Sequence, residues 1–340
     1  MSKRVNSWDV ARLANVSRTT VSYILNNRAD VSFPKETRER VLRAAEELGY
    51  RPNRLAQSLK RGRTQTIGVL VYRLDTRFTA GLVDGLQDYL REKNYAVLVA
   101  CSRYDYEQEA KAAFTMMEHQ VDALICAPTE PVTPSLEKWI DEVAGQIPVC
   151  LLTNPFENGR RIDFVIWDGF SEGYLATKHL IKLGHKRIAH IQGYIQASGN
   201  QKRAEGYRAA LNEAGIPIVD ELIVGDSFEG SGAREAVDSL LALKSRPTAI
   251  VAANDYIAAE ALSIIRERGL RVPQDIALVG MGDSELAPYL GLTSVVEHPD
   301  QIGQKAAEFA LSRLDDRQQA SRSHTQPGVL VVRDTCGAGG

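Results

Sequence analysis

The 340-residue sequence has only four cysteines and no long apolar run. The cysteines stand singly, without the spacing of metal ligands, so we expect reduced, buried thiols rather than disulfides. No run approaches the roughly 18 apolar residues of a membrane span, which predicts no membrane association. The first residues also lack the apolar stretch of a secretory signal, so we expect a cytoplasmic protein.

Motifs of common enzyme classes are also missing. The sequence contains no G-x-G-x-x-G, no P-loop and no H-E-x-x-H, and its serines lack the context of a nucleophile elbow. His179, His185 and His190 fall on a predicted helix, turn and strand, which does not suit one metal ion. We therefore predict no catalytic residue, no metal and no cofactor.

What the sequence has instead is a sharp division of charge. Residues 1–63 hold 14 Lys or Arg against six Asp or Glu, whereas residues 64–340 hold 27 basic and 37 acidic residues. A basic segment in front of an acidic body predicts that the first segment meets a polyanion. A solvated tail is the alternative.

The basic segment has the pattern of a folded helical head. Apolar spacing from Ser7 to Ala14, with Leu13 facing inwards and Ser7 as N-cap, predicts one short helix. Asn15 suits the left-handed backbone of a tight turn, and Ser17 is placed to cap a second helix. Such a pair is a helix-turn-helix, whose second helix offers its first residues to the major groove.

A third helix is predicted to begin near Pro34 and to end at Gly49, which closes a three-helix core. A helical bundle with no nucleic-acid role is the alternative. Residues 53–62 (NRLAQSLKRG) follow as about two helical turns, which is too short to be stable alone in water.

Beyond residue 62, short β-rich runs such as TIGVLVY (66–72) and IALVGM (276–281) alternate with helical stretches. This rhythm predicts parallel βαβ units, and two such sets predict two doubly wound lobes. Small ligands bind outside the carboxyl ends of parallel strands. The cleft between the lobes is therefore the expected ligand site.

Longer stretches carry a more specific pattern. These stretches are DVARLANVSRTTVSYILNN (9–27), TRERVLRAAEELGYRPNRLAQSL (37–59), LGHKRIAHI (183–191), RAEGYRAAL (203–211), PTAIVAANDYIAAEAL (247–262) and VPQDIALVGMGD (272–283). With them the chain resembles the lac repressor (LacI/GalR) family over almost its whole length. The resemblance implies an all-α helix-turn-helix head and an α/β, periplasmic-binding-protein-like sensor.

The resemblance also implies DNA contacts. In the family, the positions of Arg18, Thr19 and Tyr23 read base edges, and the position of Leu59 wedges into the minor groove. The full implied set is Ser17, Arg18, Thr19, Thr20, Ser22, Tyr23, Asn26, Asn53, Ala56 and Leu59. Many members have Arg where this chain has Tyr23, so the operator preference of a typical relative does not transfer.

Seven residues are candidate effector contacts: Thr79, Trp167, Asp168, Arg203, Phe228, Asn254 and Asp283. In relatives, the position of Arg203 contacts the effector, and those of Asn254 and Thr79 line its pocket. A structural ion pair is the alternative for Arg203, and a helix cap is the alternative for Asn254.

The pocket departs from the family pattern at Gly282, where many members have Asp, and at Thr79, where an aromatic residue often stacks on the ligand. Trp167 or Phe228 would restore a stacking surface, although Trp167 is equally a core candidate. Asp168 and Asp283 either bond ligand hydroxyls or fasten strand ends to loops. These departures leave the identity of the effector open.

Together these inferences predict a sequence-specific DNA-binding homodimer, most simply a repressor, which binds a near-palindromic operator and a small effector. We expect a head at 1–51, a hinge at 52–63 and a sensor at 64–340. Within the sensor, lobe 1 is expected at about 64–167 and 299–325, and lobe 2 at about 168–298 and 326–340. A solute-binding protein or an enzyme on a Rossmann-like fold is the alternative.

Overall fold

The computed structural model divides the chain into two compact units, residues 1–64 and residues 65–340. The described residues are 5–25, 31–50, 62–129, 133–153, 161–195, 197–227 and 232–338.

The first unit contains three helices: α1 Ser7–Leu13, α2 Arg18–Leu25 and α3 Lys35–Glu47. Their shared core is Val10, Ala11, Ala14, Val21, Ile24, Val41, Ala44 and Ala45. Small alanines at the contacts let the short helices approach closely. The prediction for Leu13 was wrong, because Ala11 takes the inward position on α1 and Leu13 stays 46% exposed.

Capping defines the ends of these helices. Asn6, rather than the predicted Ser7, is the N-cap of α1, because its side chain accepts from the Trp8 amide at 2.8 Å and its own amide donates to Asp9 at 3.0 Å. Asn15 adopts the left-handed conformation in the turn, with φ 51°. Ser17 Oγ accepts from the Thr20 amide at 3.0 Å, as predicted for the cap of α2.

The second unit contains twelve strands and nine α-helices among its described residues. The strands are β1 Thr66–Val71, β2 Ala96–Cys101, β3 Ala123–Cys126, β4 Val149–Leu151, β5 Asp163–Trp167, β6 Ile188–Gly193, β7 Ile223–Ser227, β8 Ala249–Ala252, β9 Ala277–Met281, β10 Thr293–Val296, β11 Ser323–Gln326 and β12 Val329–Val331. The helices are α4 Arg77–Glu92, α5 Tyr106–Glu118, α6 Pro134–Ala144, α7 Gly169–Lys182, α8 Ser198–Glu213, α9 Ala233–Ala242, α10 Asp255–Glu267, α11 Leu286–Leu290 and α12 Pro299–Asp315.

These strands form two six-stranded sheets, with the orders β11-β5-β4-β3-β1-β2 and β12-β10-β9-β8-β6-β7. All neighbours in the first sheet are parallel, and in the second sheet only β12 runs antiparallel to its neighbour. Helices cover both faces, so inner strands such as β3 and β8 are buried along their whole length. The predicted pair of doubly wound lobes is confirmed.

Three connecting segments join the lobes: Asp168 between β5 and α7, residues 297–298 between β10 and α12, and residues 327–328 between β11 and β12. The first and third segments are tied together, because the Asp168 amide donates to the Gln326 carbonyl at 2.9 Å. Gln326 Nε2 in turn donates to Gln301 Oε1 at 2.9 Å, close to the second segment.

One pair of helices in each lobe packs through glycines. A Cβ on Gly173 of α7 would lie 2.0 Å from the Arg203 carbonyl of α8, and one on Gly303 of α12 would lie 2.0 Å from the Leu82 carbonyl of α4. Such distances are well inside van der Waals contact, so these positions exclude any larger residue. In the second lobe, this close approach brings the side chains of α7 and α8 within bonding distance of each other.

A buried ion network anchors the first lobe. Asp163, at the start of β5, accepts from Arg313 Nε and Arg322 Nη2, each at 2.8 Å. The side chains of Asp163 and Arg313 are 1% and 3% exposed. Burial alone acts to raise the pKa of Asp163, but the hydrogen bonds from the two arginines outweigh it and hold that pKa below its usual value.

Asp163→Asn should lower the free energy of unfolding by about 3–5 kcal/mol near neutral pH, because it leaves buried guanidinium charge without its carboxylate. The matched control is Asp238→Asn, which breaks an exposed pair with Arg268 and should cost about 0–1 kcal/mol. Urea unfolding followed by circular dichroism measures both.

Because the folded-state pKa is depressed, the contribution of Asp163 is present above the unfolded pKa and is lost as pH falls through the folded one. The difference between wild type and Asp163→Asn should therefore shrink in acid. Equal losses for the two variants at neutral pH would contradict the role assigned to the network.

Candidate functional site

The exposed face of α2 carries the predicted base-reading and phosphate-binding side chains. Val21 and Ile24 point into the head, while Ser17, Arg18 and Thr19 are exposed and Thr20, Ser22 and Tyr23 are partly exposed. Their hydroxyl and guanidinium groups are hydrogen-bond partners for phosphates and base edges. Asn26, Asn53, Ala56 and Leu59 lie outside the described residues.

Arg18 is held in place at the first turn of α2. Its Nε donates to Ser7 Oγ at 3.1 Å, and its guanidinium lies 5.7 Å from the centre of the Trp8 ring. Trp8 is itself 60% exposed. The two contacts orient the long side chain at the surface without burying it, so its remaining N–H groups stay available to a partner.

The second unit contains a cavity of about 450 Å³ at the carboxyl ends of the strands of both sheets. Many of its lining residues stand just after strands of the two lobes. Tyr72 follows β1 and Tyr104 comes three residues after β2, while Asn254 comes two residues after β8 and Glu297 follows β10. This is the position predicted for a ligand site in a doubly wound fold. Its volume suits a small molecule.

Aromatic rings form much of the wall. Tyr72 and Tyr104 stack with their centres 5.0 Å apart, and Phe78 meets the Trp167 ring edge-on at 5.2 Å. All four rings line the cavity. Trp167 also packs on Gly199 of α8, so it touches both lobes. The wall offers flat apolar surfaces for a sugar ring or a planar base.

Arg203 lies at the floor of the cavity and is almost completely buried. Its Nε donates to Glu172 Oε2 at 2.8 Å, and its Nη1 donates to Asn200 Oδ1 at 3.2 Å and to the Ala253 carbonyl at 3.1 Å. Its Nη2 donates to Glu297 Oε1. The guanidinium therefore has two carboxylate partners inside the protein.

The carboxylates of this floor are buried together. Burial raises the pKa of Glu297 to about 7; Arg203 opposes that rise, while Glu172 and Asp255 add to it. Burial likewise raises the pKa of Asp255, whose Oδ1 accepts from Ser294 Oγ at 2.6 Å. Burial thus favours the neutral form of both carboxyls, and it moves the pKa of Glu297 towards the neutral pH range.

Asn254 is both a helix cap and a residue of the cavity wall, which were the two alternatives for it. Its Oδ1 accepts from the Ile257 amide at 2.8 Å, so it caps α10, and it also lines the cavity. Of the other candidates, Trp167 and Arg203 line the cavity as well.

Three further candidates are bound to nearby protein groups and are not among the lining residues. Thr79 is buried, and its amide donates to Thr76 Oγ1 at 3.2 Å. Asp168 caps α7 by accepting from the Ser171 amide at 3.0 Å. Asp283 pairs with Arg333 at 2.7 Å. Phe228 lies outside the described residues.

Sequence reasoning missed several lining residues, notably Tyr72, Phe78, Tyr104 and Glu297. A signal was present, because Tyr72 ends the β-rich run 66–72 and Glu297 directly follows β10. Their contacts could not be deduced, since stacking and ion pairing depend on how separate βα units approach one another.

Within the described ranges, no group of three or more His, Cys, Asp or Glu could hold a metal ion. All four cysteines are free, and three of them are buried. No helix in the part of the chain that the structure describes is long and apolar enough to cross a membrane.

Two family models match the chain. Residues 8–53 match bacterial regulatory proteins of the lacI family, and residues 177–336 match the periplasmic binding protein-like domain. The first match covers the helix-turn-helix, and the second covers most of the second lobe.

Similar proteins match over nearly the whole chain. The HTH-type transcriptional repressor PurR of Vibrio vulnificus (strain CMCP6) is 34% identical, covering 96% of this chain and 97% of the relative. The ribose operon repressor of Haemophilus influenzae (strain ATCC 51907 / DSM 11121 / KW20 / Rd) is 35% identical, with 96% of both chains covered.

Solved structures agree. The lac repressor dimer bound to operator and the anti-inducer ONPF is 27% identical with a TM-score of 0.85, covering 98% of this chain and 99% of that one. The transcriptional regulator CelR in complex with cellobiose is 30% identical with a TM-score of 0.72, covering 98% and 100%. On the fold, the helix-turn-helix and these matches, the chain belongs to the lacI family of bacterial regulatory proteins.

Proposed function

We propose that this chain is a transcriptional repressor that binds a near-palindromic operator as a homodimer and responds to a small effector in the cavity. One observation carries the proposal: a single chain combines a helix-turn-helix with an exposed polar face on α2 and a 450 Å³ cavity at the carboxyl ends of two sheets. A two-fold dimer presents two recognition helices, which require two mirrored half-sites.

On the DNA side, Arg18, Thr19 and Tyr23 contact base edges, while Ser17, Thr20 and Ser22 bind phosphates. Arg18 suits bidentate pairing with guanine. In the family, the residues corresponding to Ala56 and Leu59 enter the minor groove, and we propose the same for this chain, together with phosphate contacts by Asn26 and a DNA contact by Asn53. These contacts require the basic head, whose positive charge also attracts nonspecific DNA.

On the effector side, a ligand in the cavity touches both lobes, because the lining residues come from both sheets. Trp167 and the tyrosine pair supply stacking, and Asn254 supplies polar contact. We propose Thr79, Asp168, Phe228 and Asp283 as secondary contacts of the effector. Thr79, Asp168 and Asp283 already bond other groups of the protein. Ligand binding favours one relative pose of the lobes.

We propose the chain organisation as a head at 1–51, a hinge at 52–63 and a sensor at 64–340, with lobe 1 at about 64–167 and 299–325 and lobe 2 at about 168–298 and 326–340. Operator binding by such a protein takes place in the bacterial cytoplasm, on the nucleoid. The proteins named above are repressors and regulators of transcription rather than enzymes.

A solute-binding protein would use the same sensor without the head, and an enzyme would use the cavity for chemistry. Selection of duplexes from a random pool by gel shift separates these functions. We expect the full chain to enrich a near-palindromic sequence, and a truncated chain that starts at Thr64 to enrich none. Equal DNA binding by the two proteins, or none by either, would rule out the proposed function.

Arg18→Ala should weaken binding to the selected operator by about 1–3 kcal/mol, with a much smaller loss on unrelated DNA. The control is Arg43→Ala, which removes the same charge from an exposed position on α3. It should weaken operator and unrelated DNA alike. Fluorescence anisotropy at fixed salt measures the ratio of the two affinities. An unchanged ratio in Arg18→Ala would remove Arg18 from the base-reading set.

A further inference from the structure

Nearly all N–H groups of the Arg203 guanidinium already donate hydrogen bonds to the protein. Four of its hydrogen bonds go to Glu172, Asn200, the Ala253 carbonyl and Glu297, and a guanidinium has five N–H groups in all. An anionic ligand would therefore find one spare N–H on this cation. An arginine in a ligand cavity normally indicates anion binding, and the contacts of Arg203 argue against that here.

Two carboxylates face this one guanidinium. The Glu172 side chain is completely buried, and the Glu297 side chain is 9% exposed. Asp255 lies close enough to raise the pKa of Glu297 further. Of the two carboxylate partners of Arg203, Glu297 alone lines the cavity. The floor that a ligand meets is thus neutral or negative.

The other lining cations do not restore a positive site. Arg73 is paired with Asp75, its Nε donating to Asp75 Oδ1 at 2.7 Å. Arg77 is exposed at the first turn of α4, where water and salt screen its charge. Glu297 Oε1 accepts from Arg203, and no described residue donates to Glu297 Oε2, which leaves that atom as an acceptor.

We propose that Glu297 is a specificity-determining residue: it neutralises Arg203 so that the cavity rejects anionic ligands and takes neutral or cationic ligands that donate hydrogen bonds to its free carboxylate oxygen. The aromatic wall and this acceptor together suit an uncharged sugar, an amino sugar or an unphosphorylated nucleobase. Sugar phosphates and carboxylates meet like charge in a site of low dielectric. This inference rests on the proposed effector role of the cavity.

The first test uses sulfate, which stays dianionic across the pH range, with the full-length chain at constant ionic strength. Glu297→Gln releases Arg203 from one carboxylate and should bind sulfate saturably by calorimetry, at least ten times more tightly than wild type at pH 8. Glu118→Gln, an exposed position at the end of α5, removes the same charge and should match wild type. Glu297→Gln that binds sulfate no better than wild type overturns the proposal.

A second measurement needs no variant. The charged and titratable groups that face Glu297 are Arg203 on α8, Glu172 on α7, Asp255 on α10 and Tyr72 after β1. Since the pKa of Glu297 is about 7, its carboxyl gains a proton as pH falls below that value. Wild type should bind sulfate at least several-fold more tightly at pH 6 than at pH 8, and no difference would count against the role of Glu297.

Sugars that differ in charge test the same preference of the cavity. Wild type should prefer D-glucose or D-glucosamine to D-glucose 6-phosphate, and preference for the phosphate would overturn the proposal. Operator binding by wild type is measured in parallel by gel shift. Tight anion binding by a wild type that binds its operator would defeat this inference alone, whereas failure of the ligand-free wild type to bind any operator would defeat the proposed function instead.

Discussion

A guanidinium that is buried loses its hydrogen bonds to water and must replace them with hydrogen bonds to the protein. At Arg203 the acceptors include Glu172, Glu297 and the Ala253 carbonyl just after β8. Much of the second unit depends on this requirement. Glu172 stands in the first turn after one connecting segment, and Glu297 is part of another. The floor of the cavity and the joints between the lobes therefore share the same side chains.

The surrounding packing enforces that arrangement. Gly173 and Gly206 allow α7 and α8 to touch, which fixes Glu172 opposite Arg203. Gly328, in the third connecting segment, packs on the Glu172 side chain, and a Cβ there would lie 2.9 Å from Glu172 Cγ. A ligand that shifts Glu297 or Trp167 acts directly on, or next to, the segments that connect the lobes. This supplies a physical path from occupancy to lobe pose.

The sequence allowed correct prediction of elements whose causes are local. Asn15 and Ser17 mark the helix-turn-helix, because a left-handed turn residue and a cap act within a few positions. Continuous apolar runs predict the buried strands, and the carboxyl ends of those strands predict the position of the cavity. The apolar spacing gave a wrong prediction for Leu13, because Ala11 is buried in the core of the head and Leu13 is exposed. The local pattern also left Arg203 open between ligand contact and ion pair, because Glu172 and Glu297 are distant in sequence and meet it only in the folded lobe.

Control of the repressor by an effector requires that the cavity and the DNA-binding head are coupled. The most direct test of this coupling uses a small molecule whose binding is weakened by Trp167→Ala. The affinity of the protein for the operator is measured with and without the molecule, and its affinity for the molecule is measured with and without the operator. Linkage requires the two ratios to be equal, and a regulatory coupling should make them at least about five-fold. A molecule that saturates the cavity while leaving operator affinity unchanged would contradict the account.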